Sequence, residues 1–114
     1  MAGDITYIKT QTGWTYLSIV MDLFNREIIG YSISKNIDTE LVKSALGNAI
    51  SRVNNTEGII FHSDRGSQYR SKGYKNMLDE FGIVKLDAND TIHKKQVEIR
   101  KMLKAILKEK GVEI

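Results

Sequence analysis

Polar and apolar residues alternate through Asp4-Ile5-Thr6-Tyr7-Ile8-Lys9, and this period of two predicts a β-strand with one face turned inward. Gln11-Thr12-Gly13 supplies turn chemistry, after which residues 14–21 form a second run of β-favouring side chains. Asn25-Arg26-Glu27 turns the chain again into residues 28–34. Three strands in succession with short connections predict an antiparallel meander. The period then lengthens to 3.6. Val42, Ala45, Leu46, Ala49, Ile50 and Val53 share one helix face, and Asp38 stands where an N-cap is needed.

A polar connection over residues 54–58 leads to Ile59-Ile60-Phe61, a short apolar run that fits a central strand covered on both faces and stops at Asp64. Ser71 is placed to cap a second helix with Tyr74, Met77, Leu78 and Phe81 inward, and Gly82 to end it. Ile83-Val84-Lys85-Leu86 reads as a fifth strand. Residues 90–110 predict a third helix, with an apolar stripe of Ile92, Ile99, Met102, Leu103 and Ile106 and with Lys94, Lys101, Lys104 and Lys108 on the other side. The expected order is β-β-β-α-β-α-β-α, an α/β (α+β) fold with a mixed five-stranded sheet, its first three strands antiparallel, and helices on its faces. No repeat, low-complexity tract or linker divides residues 1–114, so one domain is expected.

Composition narrows the chemistry. The 114 residues contain no cysteine, so disulfides and thiolate metal sites are excluded, and a metal must be held by oxygen or by His62 and His93. No apolar run approaches the ~20 residues of a membrane span, and a soluble cytoplasmic protein is expected. The net charge of +3 is not spread evenly. Residues 1–83 carry nine Lys/Arg and nine Asp/Glu, whereas residues 84–114 carry eight against five. A basic tail suits a polyanionic partner such as DNA, and equally a solvated helix face.

The string His62-Ser63-Asp64-Arg65-Gly66-Ser67-Gln68-Tyr69 concentrates the candidate chemistry: a strand delivers an acid to its end, and Gly66 lets the backbone turn just after it. Taken alone, Asp64 reads as a turn-capping residue. The whole string, however, resembles the second-aspartate motif of insertion-sequence transposases with a retroviral-integrase-type catalytic core, and Asp4-Ile5-Thr6-Tyr7-Ile8 resembles the first-strand motif of the same family. The resemblance runs from Asp4 to about Val84; residues 85–114 depart from the pattern, which points to an incomplete copy.

The resemblance implies a ribonuclease-H-like fold and metal-dependent DNA cleavage and strand transfer, with Asp4 and Asp64 as ligands of Mg²⁺ or Mn²⁺ in a two-metal site. It implies a third acid, a Glu about thirty-five residues beyond the second Asp, completing the metal site. That count reaches Arg100 here. Glu98 is the nearest carboxylate, at the border of the apolar stripe, where an i, i+3 pair with Lys101 is the competing reading. Arg65, Gln68 and Tyr69 are expected beside the DNA backbone, and the four tail lysines as a cationic ridge for it. His62 can orient a ligand or serve the structure alone. Asp22 reads as turn chemistry, and Trp14 and the tyrosines as sheet packing. A homodimer is expected, with no organic cofactor. Two other readings remain open: a non-catalytic remnant that binds DNA or dimerises, and a ribonuclease-H-type nuclease.

Overall fold

Alternation and turn chemistry build the first half of the sheet. The computed structural model describes residues 1–63 and 67–87, together with the helical positions Lys101, Lys104, Ala105, Lys108 and Glu109. Strand β1 (Ala2–Thr10) pairs antiparallel with β2 (Gly13–Asp22), and β2 with β3 (Glu27–Ser34). Gly13 at φ 130° and Arg26 at φ 57° take the left-handed backbone that these two tight connections require. Asp22 behaves as expected, accepting from the Phe24 amide at 2.9 Å and from Asn25 Nδ2 at 3.3 Å.

Helix α1 (Thr39–Ile50) carries the chain across the sheet. Asp38 accepts from the Leu41 amide at 3.0 Å, which is worth about 1 kcal/mol. Burial of Leu41, Val42 and Leu46 is worth about 1.5–3 kcal/mol for each, so packing rather than the cap decides where the helix lies. Its seat is β3, where Gly30 leaves room for the backbone of Ala45 and Ala49, and where Asn48 Nδ2 donates to the Tyr31 carbonyl at 2.7 Å. The helix ends at Ile50, one residue before Ser51, so Val53 lies beyond it.

Strand β4 (Ile60–Ser63) runs parallel to β1, with Ala2 opposite His62, and β5 (Val84–Asp87) runs parallel to β4. The sheet order is β3-β2-β1-β4-β5, which places the antiparallel meander on one side of β1 and the parallel pair on the other. Between β4 and β5 come the four-residue α2 (Ser67–Arg70) and α3 (Lys72–Glu80). A single helix was the sequence expectation. Ser71 divides it, because its Oγ donates to the Gln68 carbonyl at 2.9 Å while also accepting from the Tyr74 amide at 3.3 Å. Gly82 at φ 68° ends α3, with Ile83 N–H returning to the Leu78 carbonyl at 2.9 Å and Gly82 N–H to Asp79 at 3.2 Å.

Cross-strand register sorts side chains onto two faces. On the helix side, Val20 and Phe61 pack with α1, Tyr69, Tyr74 and Leu78 in one cluster. On the other side, Ala2, Leu17, Ile19 and Met21 form a second cluster with Ile28 against it. A bulge makes this possible on β3. Val20 pairs with Gly30 but Met21 with Ile28, so Ile29 has no counterpart and joins the helix-side cluster while Ile28 joins the other.

Three expectations need correction. β1 begins at Ala2, so Asp4 is its third residue and does not open it. β4 is not covered on both faces, since Ile60 is 44% exposed, with Val84 opposite it also exposed. Trp14 is 55% exposed across from Lys9, because it sits beside the turn that closes the β1–β2 hairpin, where no helix among the described residues covers it; Tyr7 and Tyr16 do pack on each other edge to face at 5.1 Å. The third helix expected over residues 90–110 lies outside the described residues except at Lys101, Lys104, Ala105, Lys108 and Glu109, which are helical and exposed. Among the described residues no helix is long and apolar enough to cross a membrane.

Two stability predictions follow from this packing. A methyl group at Gly30 would stand 2.4 Å from the Ala45 carbonyl oxygen and 2.5 Å from the Ala49 nitrogen, backbone atoms that cannot swing aside. Gly30→Ala should therefore cost about 1–3 kcal/mol, read as a lower urea midpoint; an unchanged midpoint would show that α1 does not lie this close to β3. The Tyr74 hydroxyl is buried with no hydrogen-bond partner, and burial, with a smaller contribution from Tyr69, pushes its phenol far above the usual value of 10. The folded state thus keeps a proton that the unfolded chain loses, so this contribution to stability is intact below about pH 10 and lost as pH rises beyond it. Tyr74→Phe should be neutral or stabilising at pH 7 and should lose less melting temperature than the parent above about pH 10. Parallel pH profiles for the two proteins would refute this.

Candidate active site

The seam between β1 and β4 is where the sequence-predicted acids are expected to meet. Asp4 faces away from the helices: it pairs with Ile19 on the face that also carries Ala2 and Thr6, and the residue is only 6% exposed. A side chain on the third residue of a nine-residue strand, hydrogen-bonded into the sheet, is held in place by backbone pairing rather than by solvent. The parallel partner is fixed by Ala2 opposite His62 and by the His62 amide donating to the Met1 carbonyl at 2.9 Å. Directly opposed residues share a face, so the half-buried His62 lies on the same face as Asp4. Beyond Ser63, β4 points in the direction in which Asp4 lies beyond Ala2. Asp64, Arg65 and Glu98 are outside the described residues, as is Lys94.

The other face of this seam is aromatic. Phe61, Tyr69 and Tyr74 pack mutually, with ring centroids 6.2 Å apart for Phe61–Tyr69, 5.6 Å for Phe61–Tyr74 and 5.4 Å for Tyr69–Tyr74. Gly3 admits them. A Cβ there would lie 2.6 Å from Phe61 Cζ and 3.0 Å from the Tyr69 ring. Tyr69 is therefore 2% exposed, a core residue, and the expectation that it touches DNA is corrected; the helical turn of α2 rotates it inward, toward β1, and leaves Arg70 outward. Gln68 is half-buried on α2. Lys85 Nζ donates to the Tyr69 carbonyl and ties α2 to β5.

Two residues that the sequence reading did not single out stand at the seam. The Thr6 hydroxyl is buried without a hydrogen-bond partner on the face of Asp4, two residues further along β1, and Ser63 Oγ is likewise buried and unpartnered at the end of β4. The period of two that placed Asp4 also places Thr6 beside it; that alternation was the available signal. Buried hydroxyls without partners are uncommon; Thr6 shares the face of Asp4, and Ser63, next to His62 on β4, lies on the face of Phe61.

The residues fit a divalent cation in donor type. Asp4 offers a hard oxygen of the kind Mg²⁺ or Mn²⁺ takes. Among the described residues no three His, Asp or Glu side chains gather, and the further acids named by the sequence, Asp64 and Glu98, are not among them.

Comparison with known proteins bears on this arrangement. Residues 1–85 match the Integrase core domain family. The chain is 44% identical over 77 residues to the transposase InsF for insertion sequence IS3A of Escherichia coli K12, covering 68% of this chain and 27% of that protein. It is 39% identical over 80 residues to the transposase for insertion sequence element IS904 of Lactococcus lactis, covering 70% of this chain and 32% of that one. The chain thus spans about a third or less of the curated relatives it matches. Among solved structures, the simian T-cell lymphotropic virus intasome in complex with PP2A regulatory subunit B56 gamma superposes with a TM-score of 0.71 at 17% identity, covering 95% of this chain and 40% of that one. The HTLV-2 integrase catalytic core domain in complex with magnesium, in its trimeric form, gives 0.66 at 19% identity, covering 95% and 70%. At such identities the structural likeness speaks for the fold, the ribonuclease-H-like mixed sheet of retroviral integrase catalytic cores. The sequence match covers most of the chain and includes the strand that carries Asp4, and the chain belongs to the integrase core domain family.

Proposed function

We propose that this domain is the catalytic core of a DNA transposase, performing metal-dependent strand cleavage and strand transfer. The observation that carries the reading is the parallel register of β1 and β4. Ala2 stands opposite His62, and the same register continued by two places would bring Asp64 beside Asp4 on one face. Family membership and relatives described as transposases support the same chemistry.

Asp4 and Asp64, with Glu98 as the candidate third acid, would hold Mg²⁺ or Mn²⁺. When bound, such ions activate an attacking oxygen and stabilise the leaving one. The chain's own contribution is positional. Asp4 is held on a paired strand and shielded from bulk water, and the exposed Lys101, Lys104 and Lys108 offer charge to a phosphate backbone. The HTLV-2 core is described in dimeric and trimeric forms, which supports self-association of this chain as a homodimer.

Three experiments test this. Mn²⁺ should raise the melting temperature of the parent and leave Asp4→Asn and Asp64→Asn unmoved, and the parent should nick or join a labelled DNA oligonucleotide in Mn²⁺ where both variants do not. Equal Mn²⁺ shifts in parent and variants would sink the assignment whatever the activity of this length of chain. Sedimentation at tens of micromolar should show a dimer; a monomer there would refute self-association at any useful affinity.

A further inference from the structure

A groove of about 590 Å³ lies between α3 and the edge strand β5 and extends to the end of α2. Its walls are cationic. Arg70 closes the α2 end, Lys75 projects from α3, and Lys85 comes from β5. The Lys85 ammonium donates to the Tyr69 carbonyl, which holds its charge at the groove. Asp79, one turn along α3 from Lys75, is the carboxylate among the described lining residues, which carry three cationic side chains and one anionic one. The floor is apolar, with Leu78 and Ile83 closed over.

We propose that this groove is a second nucleic-acid contact, holding the sugar-phosphate backbone of a single DNA strand on Arg70, Lys75 and Lys85. The proposal takes its ligand class from the transposase reading but concerns a different surface, since Lys85 pairs with Phe61 and so lies on the helix side of the sheet, whereas Asp4 lies on the other. The arrangement favours a polynucleotide: the cations are contributed by three successive elements along the groove, which suits a repeating anion better than a single one. Among the described residues no aromatic side chain lines the groove, so these residues offer no base stacking and backbone charge is the recognised feature. Binding here is accordingly sequence-independent and salt-sensitive.

The test is fluorescence anisotropy of a labelled single-stranded oligonucleotide titrated with the whole chain in EDTA, so that metal binding at Asp4 plays no part. Each phosphate neutralised on a single strand contributes about 0.7 to the log-log salt slope, so Arg70→Gln with Lys75→Gln should flatten it by about 1.4. Asp79→Asn should tighten binding severalfold. Both changed cations are exposed, and the melting temperature should hold. If it does not, Asp79→Asn decides alone. An unaltered slope in the double variant, unchanged affinity in Asp79→Asn, or no binding by the parent at low salt overturns the proposal. So does equal competition by inorganic phosphate, or by polyglutamate charge for charge, which would assign the groove to a free anion or an acidic protein segment. Loss of Mn²⁺ binding in Asp4→Asn with this behaviour intact would leave the groove standing, and a failed metal site with intact groove binding would count against the transposase reading alone.

Discussion

The parallel pairing of β1 with β4 is the contact on which the rest of the molecule depends. It joins the meander of β1, β2 and β3, which can form from local turns, to the β4–β5 half, and it does so between residues sixty apart in sequence, Ala2 and His62. Parallel strands cannot be joined by a tight turn, so the chain must first lay α1 across the sheet. Closing so long a loop costs entropy before any contact rewards it. The reward is concentrated at one point, where Phe61 and Tyr69 settle on the bare backbone of Gly3. Burying two aromatic rings against a strand with no side chain there gives large apolar contact for little side-chain ordering, because each ring has only two rotatable bonds.

Much of this was legible as pattern. The two periods separate strands from helices, Asp38 and Ser71 cap where short polar side chains precede apolar runs, and Gly82 terminates α3 with the backbone only glycine takes readily. What the pattern could not show was exposure that depends on the third dimension. Trp14 and Tyr7 have the composition of core residues, but whether a helix covers the far end of a hairpin is settled by where α1 lands, and α1 lands on Gly30. Likewise Ile60 belongs to an unbroken apolar run, yet it faces the side of the β4–β5 pair away from the packed helices.

The site divides in the same way. Asp4 was singled out by the resemblance of Asp4-Ile5-Thr6-Tyr7-Ile8 to a first-strand motif, and its strand pairing followed from the order of elements. Tyr69 was misread because motif position and side-chain direction are different things: four residues of helix are enough to turn one neighbour into the core and the next into solvent, as Tyr69 and Arg70 do. Thr6 passed unnoticed since a threonine in a strand is ordinary until its hydroxyl proves to be buried and unpaired.

A strand is one residue thick, and Gly3 and Asp4 use both of its sides. The aromatic cluster bears on β1 from behind at Gly3, while the next residue presents its carboxylate on the opposite face. Anything that moves Phe61 or Tyr69 must move the backbone from which Asp4 projects, because the Gly3 backbone has no side chain to absorb the displacement. Tyr69 in turn belongs to α2, whose carbonyl at that residue receives the Lys85 ammonium from β5. The packing side of the sheet and the acid side are thus one mechanical unit. As a ligand in the proposed metal site, Asp4 would take the constancy of its position from an apolar cluster on the opposite face of its own strand.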